Sequence, residues 1–155
     1  MNLKFEIINK KDLDKTHNYL LNHRTSMTLK LEEFYKEKLN LKVLKSKKEG
    51  NIFKREIILI SNENIPREFA IIKFYLNNLD KTLLGEVISN KIPFGKILTQ
   101  NKIQFKINII EFFKISLDNR LKNILKSQKS LFYGRKYKIF DYSNKILSDV
   151  IEIVS

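Results

Sequence analysis

Phe53-Lys54-Arg55-Glu56-Ile57-Ile58-Leu59-Ile60, followed by the polar run Ser61-Asn62-Glu63-Asn64-Ile65-Pro66 and then by Glu68 through Leu76, reads as two strands joined by a turn. The flanking segments are rich in β-branched and aromatic residues, which suit a pleated, half-buried surface, and the connector carries turn-forming residues ending in a proline. This hairpin decides the fold class, because a chain that pairs consecutive strands in this way builds an antiparallel sheet.

Outward from the hairpin, other elements follow the same logic. On the N-terminal side, 10–22 reads as a helix with Leu13, His17, Tyr19, Leu20 and Leu21 near one side. After the polar break Asn22-His23-Arg24-Thr25, either Thr25 or Ser26 could cap a second helix. In that helix Met27, Leu31, Phe34 and Tyr35 form an apolar stripe at i, i+4, i+7 and i+8. Leu41 to Leu44 is a short strand. On the C-terminal side, Leu79 to Ser89 reads as a helix and Ile92-Pro93-Phe94-Gly95 as a loop. Ile103, Phe105, Ile107 and Ile109 alternate with polar residues as a half-buried strand, and Leu117 to Lys126 is a short helix. A final pair of strands runs from Tyr133 to Phe140 and from Lys145 to Val154, with a turn at Asp141-Tyr142-Ser143-Asn144. Helices come first, then mostly hairpin-linked strands, without βαβ alternation. The expected architecture is α+β, an antiparallel sheet of about six strands with helices packed on one side, in a single domain spanning 1–155.

Bulk composition narrows the function classes. The 155 residues suit one domain with a core large enough for a small closed pocket. The absence of cysteine removes disulfides, zinc–thiolate sites and thiol nucleophiles. His17 and His23 are spaced so that they do not share a helical face, which argues against a metal site. No apolar run approaches the ~20 residues of a membrane span. Met1-Asn2-Leu3-Lys4-Phe5-Glu6 lacks a signal-peptide core, so a cytoplasmic protein is expected. The net charge of +13 has three readings: a nucleic-acid binder, a lysine-rich composition without specific meaning, or a positive field that draws in a small dianion. Lysine is spread over nearly every segment, its densest cluster being Lys45, Lys47 and Lys48, so nucleic acid is the weaker alternative.

Two charges sit on faces where apolar side chains are expected. With period-2 alternation, Arg55 shares a face with Phe53, Ile57 and Leu59, and Glu152 shares one with Val150 and Val154. The opposite faces also hold isoleucines (Ile58, Ile60, Ile151 and Ile153), which leaves the facing open. A charge removed from water needs a partner. Arg55 and Glu152 could simply pair with each other. Alternatively they could belong to a pocket for an acid, since the guanidinium fork meets a carboxylate with two parallel hydrogen bonds and a glutamate in apolar surroundings holds its proton more tightly.

Four stretches, in order, resemble the chorismate pyruvate-lyase family. Thr25-Ser26-Met27-Thr28-Leu29-Lys30-Leu31-Glu32 is similar to the family's SMT…LE helix start, and Lys54-Arg55-Glu56-Ile57-Ile58-Leu59 to its REI/VLL strand, followed by Pro66 and Ala70. Pro93-Phe94-Gly95-Lys96-Ile97-Leu98 resembles PLG..L, while Tyr133-Gly134-Arg135-Lys136 and Leu147 to Ile153 resemble (Y/W)GRR and the terminal L…E.F. The resemblance implies the sheet-and-helix architecture above and cleavage of chorismate to 4-hydroxybenzoate and pyruvate without metal or organic cofactor. It implies that Arg55 binds the ring carboxylate and that Glu152 sits at the 4-oxygen, both as catalytic groups. Met27 and Phe94 would line the pocket and supply backbone hydrogen bonds. Read alone, Met27 is a core residue, Phe94 a loop aromatic and Arg135 a strand-edge charge. Gly95 and Gly134 read as positions of unusual backbone geometry or close approach.

The chain departs from the family pattern at Phe94, where a leucine is usual, and at Lys136, the second arginine of GRR. It also departs at Ile72, where the quinone-pathway enzymes carry a further arginine that neighbouring Lys73 could replace. The alternative function is a non-catalytic module that binds a small aromatic acid, built on the same fold as the effector domains of bacterial regulators. The segment before Thr25 is too short for a DNA-binding domain in front of it.

Overall fold

A computed structural model describes residues 3–154; Met1, Asn2 and Ser155 lie outside the described residues. Seven strands form one sheet: β1 (Phe5–Ile8), β2 (Leu39–Glu49), β3 (Ile52–Ser61), β4 (Pro66–Tyr75), β5 (Phe105–Ser116), β6 (Leu131–Asp141) and β7 (Ile146–Val154). Their order is β1-β5-β6-β7-β4-β3-β2, and every pairing is antiparallel. Among the described residues five α-helices accompany it: α1 (Lys15–Leu21), α2 (Met27–Tyr35), α3 (Lys81–Ile88), α4 (Phe94–Gln100) and α5 (Asn119–Leu125).

The same turn chemistry closes two of the hairpins. At β3–β4 the Ser61 N–H donates to Ile65 O, Ser61 Oγ accepts from the N–H groups of Glu63 and Ile65, and Asn64 adopts φ +62°. At β6–β7 the Asp141 N–H donates to Lys145 O, Asp141 Oδ1 accepts from Ser143 and Lys145, and Asn144 adopts φ +62°. A short side-chain acceptor opens each turn and an asparagine, which tolerates left-handed backbone, closes it. These turns set the β3–β4 and β6–β7 registers, and β4–β7 pairing then brings the two hairpins together.

The α+β architecture expected from the sequence is present, with differences in detail. Phe5–Ile8 adds an edge strand where no strand was expected. β2 continues past Leu44 through the lysine cluster to Glu49, after a bulge between Val43 and Lys45. An edge strand needs little burial, and lysines there discourage pairing with other chains. Phe94 opens helix α4 instead of lying in a loop. Finally, α1 to α4 cover one face, whereas Leu121 and Leu125 of α5 pack on the other, against Ile58, Phe69, Phe113 and Ile153. The apolar stripe of α2 also shifts: Met27, Thr28 and Leu31 are buried, and Phe34 is exposed.

Candidate functional site

The face covered by α1–α4 carries four buried charged side chains, Arg55, Glu68, Arg135 and Glu152. Register fixes their arrangement. Arg55 lies opposite Ile72, which lies opposite Val150, which lies opposite Tyr137. One row along, Ile57, Ala70, Glu152 and Arg135 are aligned in the same way. Arg55 and Glu152 are thus two strands and one row apart, about 12 Å between Cα atoms at ideal sheet spacings.

The two residues do not pair. Arg135 is the partner of Glu152: its Nε donates to Oε1 at 2.5 Å, and both side chains are at most 1% exposed. Tyr137 Oη donates to Glu152 Oε2 at 3.1 Å. Arg135 Nη1 reaches beyond the sheet and donates to the backbone carbonyls of Leu21 (3.0 Å) and His23 (2.6 Å). That arginine therefore ties the α1–α2 connector to the sheet. Within the connector, His23 Nε2–H donates to Leu20 O at 2.8 Å, while Nδ1 accepts from the Thr25 N–H at 3.2 Å. This pattern fits a neutral ring, and burial together with the Arg135 charge lowers the His23 pKa to about 4.

Glu68 completes the carboxyl cluster. It stands diagonal to Glu152 across β4–β7, since Ala70 faces Glu152 and Glu68 faces Val154. Both carboxyls line the same cavity. Burial, reinforced by the Glu152 charge, holds the Glu68 pKa well above the usual carboxylate range.

Arg55 is 1% exposed, and its surroundings differ from those of Arg135. Nη1 donates to Val87 O, at the C-terminal end of α3, and to Asn90 Oδ1, each at 3.2 Å. The guanidinium lies 4.9 Å from the Phe74 ring centroid. Nε and Nη2 are buried and have no hydrogen-bond partner among the described residues. These two nitrogens form one edge of the guanidinium, with parallel N–H bonds matched to a carboxylate. Burial alone lowers the Arg55 pKa to about 10, which leaves it charged at neutral pH.

A cavity of about 40 Å³ lies on this face. Its roof is the N-terminal end of α2 (Ser26, Met27, Thr28) and the start of α4 (Pro93, Phe94, Gly95). Its floor includes Ile57, Ile72, Ile107 and Val150, and Glu68, Tyr137 and Glu152 close one end. Met27 and Phe94 both line it, while Arg55 does not. The Phe94 ring meets Phe74 edge to face at 4.9 Å, so this aromatic pair stands between Arg55 and the cavity. The two helix starts are in close contact: a Cβ on Gly95 would lie 2.2 Å from Ser26 Oγ. Ser26 occupies the N-cap of α2 without a side-chain cap bond, and its buried Oγ lacks a partner among the described residues. Gly134 is also a close-approach glycine, its virtual Cβ 2.3 Å from Glu152 O.

Lys73, the sequence candidate for the missing family arginine, is placed elsewhere. It lies on the opposite face, beside Lys45, Lys47 and Lys54, with its Nζ 5.2 Å from the Tyr75 ring centroid. Ile72 points into the cavity instead. Arg135 is no strand-edge charge but a fully buried one. Glu68 was missed by the sequence reading, although alternation along β4 puts it on the face of Ala70, Ile72 and Phe74, the same signal that singled out Arg55 and Glu152. Among the described residues, no group of His, Asp and Glu side chains is arranged to hold a metal, and no helix is long and apolar enough to cross a membrane.

No protein-family model matches the chain. A Methanocaldococcus jannaschii protein named "Putative lyase MJ0807" is 29% identical over 158 aligned residues, covering 99% of this chain and 82% of that one. Among solved structures, PhnF from Mycobacterium smegmatis superposes with a TM-score of 0.64 at 10% identity, over 83% of this chain and 63% of PhnF. The effector domain of PhnF alone gives a TM-score of 0.61 at 9% identity, over 84% of this chain and 88% of that domain. The structural likeness establishes the fold alone, an α+β sheet shared with the effector domain of PhnF.

Proposed function

We propose that this protein is a chorismate pyruvate-lyase, converting chorismate to 4-hydroxybenzoate and pyruvate without a cofactor. The observation that carries this reading is the buried, unpartnered Nε/Nη2 edge of Arg55, on the same face as a carboxyl cluster about 12 Å away. A buried guanidinium edge without an acceptor costs free energy that a bound carboxylate would recover. In this reading Arg55 grips the ring carboxylate with two parallel hydrogen bonds. Glu152, oriented by Arg135 and Tyr137, faces the oxygen substituent at the other end of the ring. Met27 and Phe94 enclose the ring from above, and the N–H groups of the first turn of α2, which have no intrahelical acceptor, point toward it.

Binding a ring in a space of about 40 Å³ requires the aromatic pair Phe74/Phe94 to shift, opening the route from the cavity to Arg55. Aromatisation makes the reaction strongly downhill, so positioning and electrostatics are what the protein must supply. The name of the M. jannaschii relative and the four matching sequence stretches support a lyase. The test is to incubate purified protein with chorismate and follow 4-hydroxybenzoate and pyruvate. Release of both in equal amounts, lost in Arg55→Ala, is expected; no turnover by the wild type overturns the enzymatic reading.

The second reading is a binding module for a small aromatic acid, favoured by the fold shared with the effector domain of PhnF. It predicts saturable binding of 4-hydroxybenzoate through Arg55, with chorismate left intact.

A further inference from the structure

Glu68 plays no part in the proposed lyase site, yet it is 3% exposed, lines the same cavity and stands diagonal to Glu152 across β4–β7. Its strand neighbours on this face are apolar: Leu59 opposite it on β3 and Val154 opposite it on β7. The charged and titratable groups around it are Glu152, Arg135 and Tyr137. Arg135 is the cluster's one cation; its Nε and Nη1 are committed to Glu152 and two backbone carbonyls, and its buried Nη2 makes no hydrogen bond among the described residues, to Glu68 or to any other group. Two ionised carboxylates there would leave one uncompensated negative charge in an apolar cavity, at a cost of several kcal/mol. One proton held between them makes the cluster neutral, and Glu68, without an arginine of its own, is the member that holds it.

A neutral carboxyl differs from a carboxylate in having an O–H to donate. In this cavity that donor meets apolar floor residues, the helix starts of the roof and Glu152. We propose that Glu68 is a further ligand-contacting residue, whose acid O–H hydrogen-bonds the oxygen substituent of a bound ring acid at the end remote from Arg55. The site then selects cyclic acids that carry a hydroxyl or ether oxygen at that end. Glu152 accepts from such a hydroxyl and Glu68 donates to it, so the pair can satisfy both the proton and a lone pair of one oxygen. This assignment rests on the reading of Arg55 as the carboxylate anchor, and it identifies what reads the opposite end.

The experiment compares 4-hydroxybenzoate with benzoate by calorimetric titration of the wild type, Glu68→Leu, Glu68→Gln and Arg55→Ala, each checked by circular dichroism for a native melt. The wild type should prefer 4-hydroxybenzoate by well over tenfold, since each of the two hydrogen bonds to its hydroxyl contributes about tenfold in a dry site. Glu68→Leu should lose about tenfold of that preference, keeping only what acceptance by Glu152 supplies, with affinity for benzoate within about threefold of the wild type, as that acid lacks the contacted oxygen. Glu68→Gln, which keeps a donor, should retain the preference. Wild-type affinity for 4-hydroxybenzoate should also weaken as pH rises and Glu68 loses its proton, a trend absent in Glu68→Gln. Loss of both acids to the same degree in Glu68→Leu, with a native melt, assigns Glu68 a packing role and overturns the inference. So does an unchanged preference in that variant. In either case the Arg55 reading stands if Arg55→Ala abolishes binding. Binding of neither acid by the wild type overturns both.

Discussion

Arg55→Met separates a ligand anchor from a structural arginine by the sign and size of two effects. In the unliganded protein the substitution removes two long hydrogen bonds, at 3.2 Å to Val87 O and Asn90 Oδ1. It also removes a guanidinium–ring contact with Phe74. Together these contribute about 3–4 kcal/mol, taking the low end for each charged hydrogen bond and about 1 kcal/mol for the ring contact. The same substitution relieves two buried donors that lack acceptors, each costing about 1–3 kcal/mol. Val87 O keeps the Asn90 N–H at 3.3 Å, so it is not left bare. The terms nearly cancel, and urea unfolding should place the variant within about 2 kcal/mol of the wild type. An arginine whose role is to cap α3 and hold it to the sheet would instead cost the full sum of those contacts, about 3–4 kcal/mol, with nothing to offset it. With 4-hydroxybenzoate at a hundred times its dissociation constant, the wild type should gain about 2.7 kcal/mol, or roughly 5–11 °C in melting temperature for a domain of this size. Arg55→Met should gain nothing. A variant that unfolds far earlier in urea yet still melts higher with ligand would refute the reasoning, because it would make Arg55 a structural residue outside the site.

The other arginine should behave in the opposite way. Arg135→Met leaves the Glu152 and Glu68 carboxyls without their cation, so urea unfolding should show a loss of about 3–5 kcal/mol, and Arg135→Met with Glu152→Leu should recover much of it. His23 sets a pH dependence. Its folded pKa of about 4 lies below its unfolded value, so the unfolded chain takes up its proton first as pH falls; the stability His23 provides is full above about pH 6.5 and is lost toward pH 4. Thermal melts should fall over that window and the fall should shrink in His23→Gln. Glu68 acts with the reverse sign, since its pKa is raised. The folded protein keeps a proton that the unfolded chain has released, so stability declines as pH rises above the ordinary glutamate range, and Glu68→Gln should flatten that decline in the same melts. Gly95→Ala should destabilise by about 1–3 kcal/mol, as its methyl would meet Ser26 Oγ at 2.2 Å and Ser26 Cβ at 2.8 Å; adding Ser26→Gly removes both atoms and should restore most of the loss.

The parts of the fold that could be read from the sequence are those where local chemistry and burial agree. The β3–β4 and β6–β7 hairpins carry their own turns, with Ser61 or Asp141 accepting backbone N–H groups and Asn64 or Asn144 in left-handed backbone. The segments that escaped are those whose structure is imposed by neighbours. Phe5–Ile8 becomes a strand because β5 offers it an edge, and Lys45–Glu49 stays in β2 because β3 runs alongside. Neither needs a hydrophobic face of its own. Pro93-Phe94-Gly95 looks like a loop by composition, but the proline precedes the first helical residue, where its missing N–H costs nothing. Gly95 is in a helix because only a residue without Cβ lets α4 approach Ser26.

For the site, alternation along the strands located two of the four buried charges, Arg55 and Glu152, and the same rule applied to β4 and β6 finds Glu68 and Arg135. Alternation cannot say which charges meet, because pairing is a property of strand order. With β6 beside β7, Glu152 falls opposite Arg135; with β4 between β7 and β3, Arg55 is kept a strand away. That order distributes the compensation unevenly. Arg135 and Glu152 pair with the help of Tyr137 and two backbone carbonyls, leaving Arg135 Nη2 bare, whereas Arg55 has no carboxylate among the described residues, only α3's end and an asparagine for one of its three nitrogens, and leaves a whole Nε/Nη2 edge bare. A sheet face built for stability alone would carry a methionine or leucine at position 55, since an apolar side chain of similar volume costs less there than a half-satisfied cation. The asymmetry between the two arginines, more than the presence of either, marks the Arg55 end of the face as the place where an acid from outside the chain completes the structure.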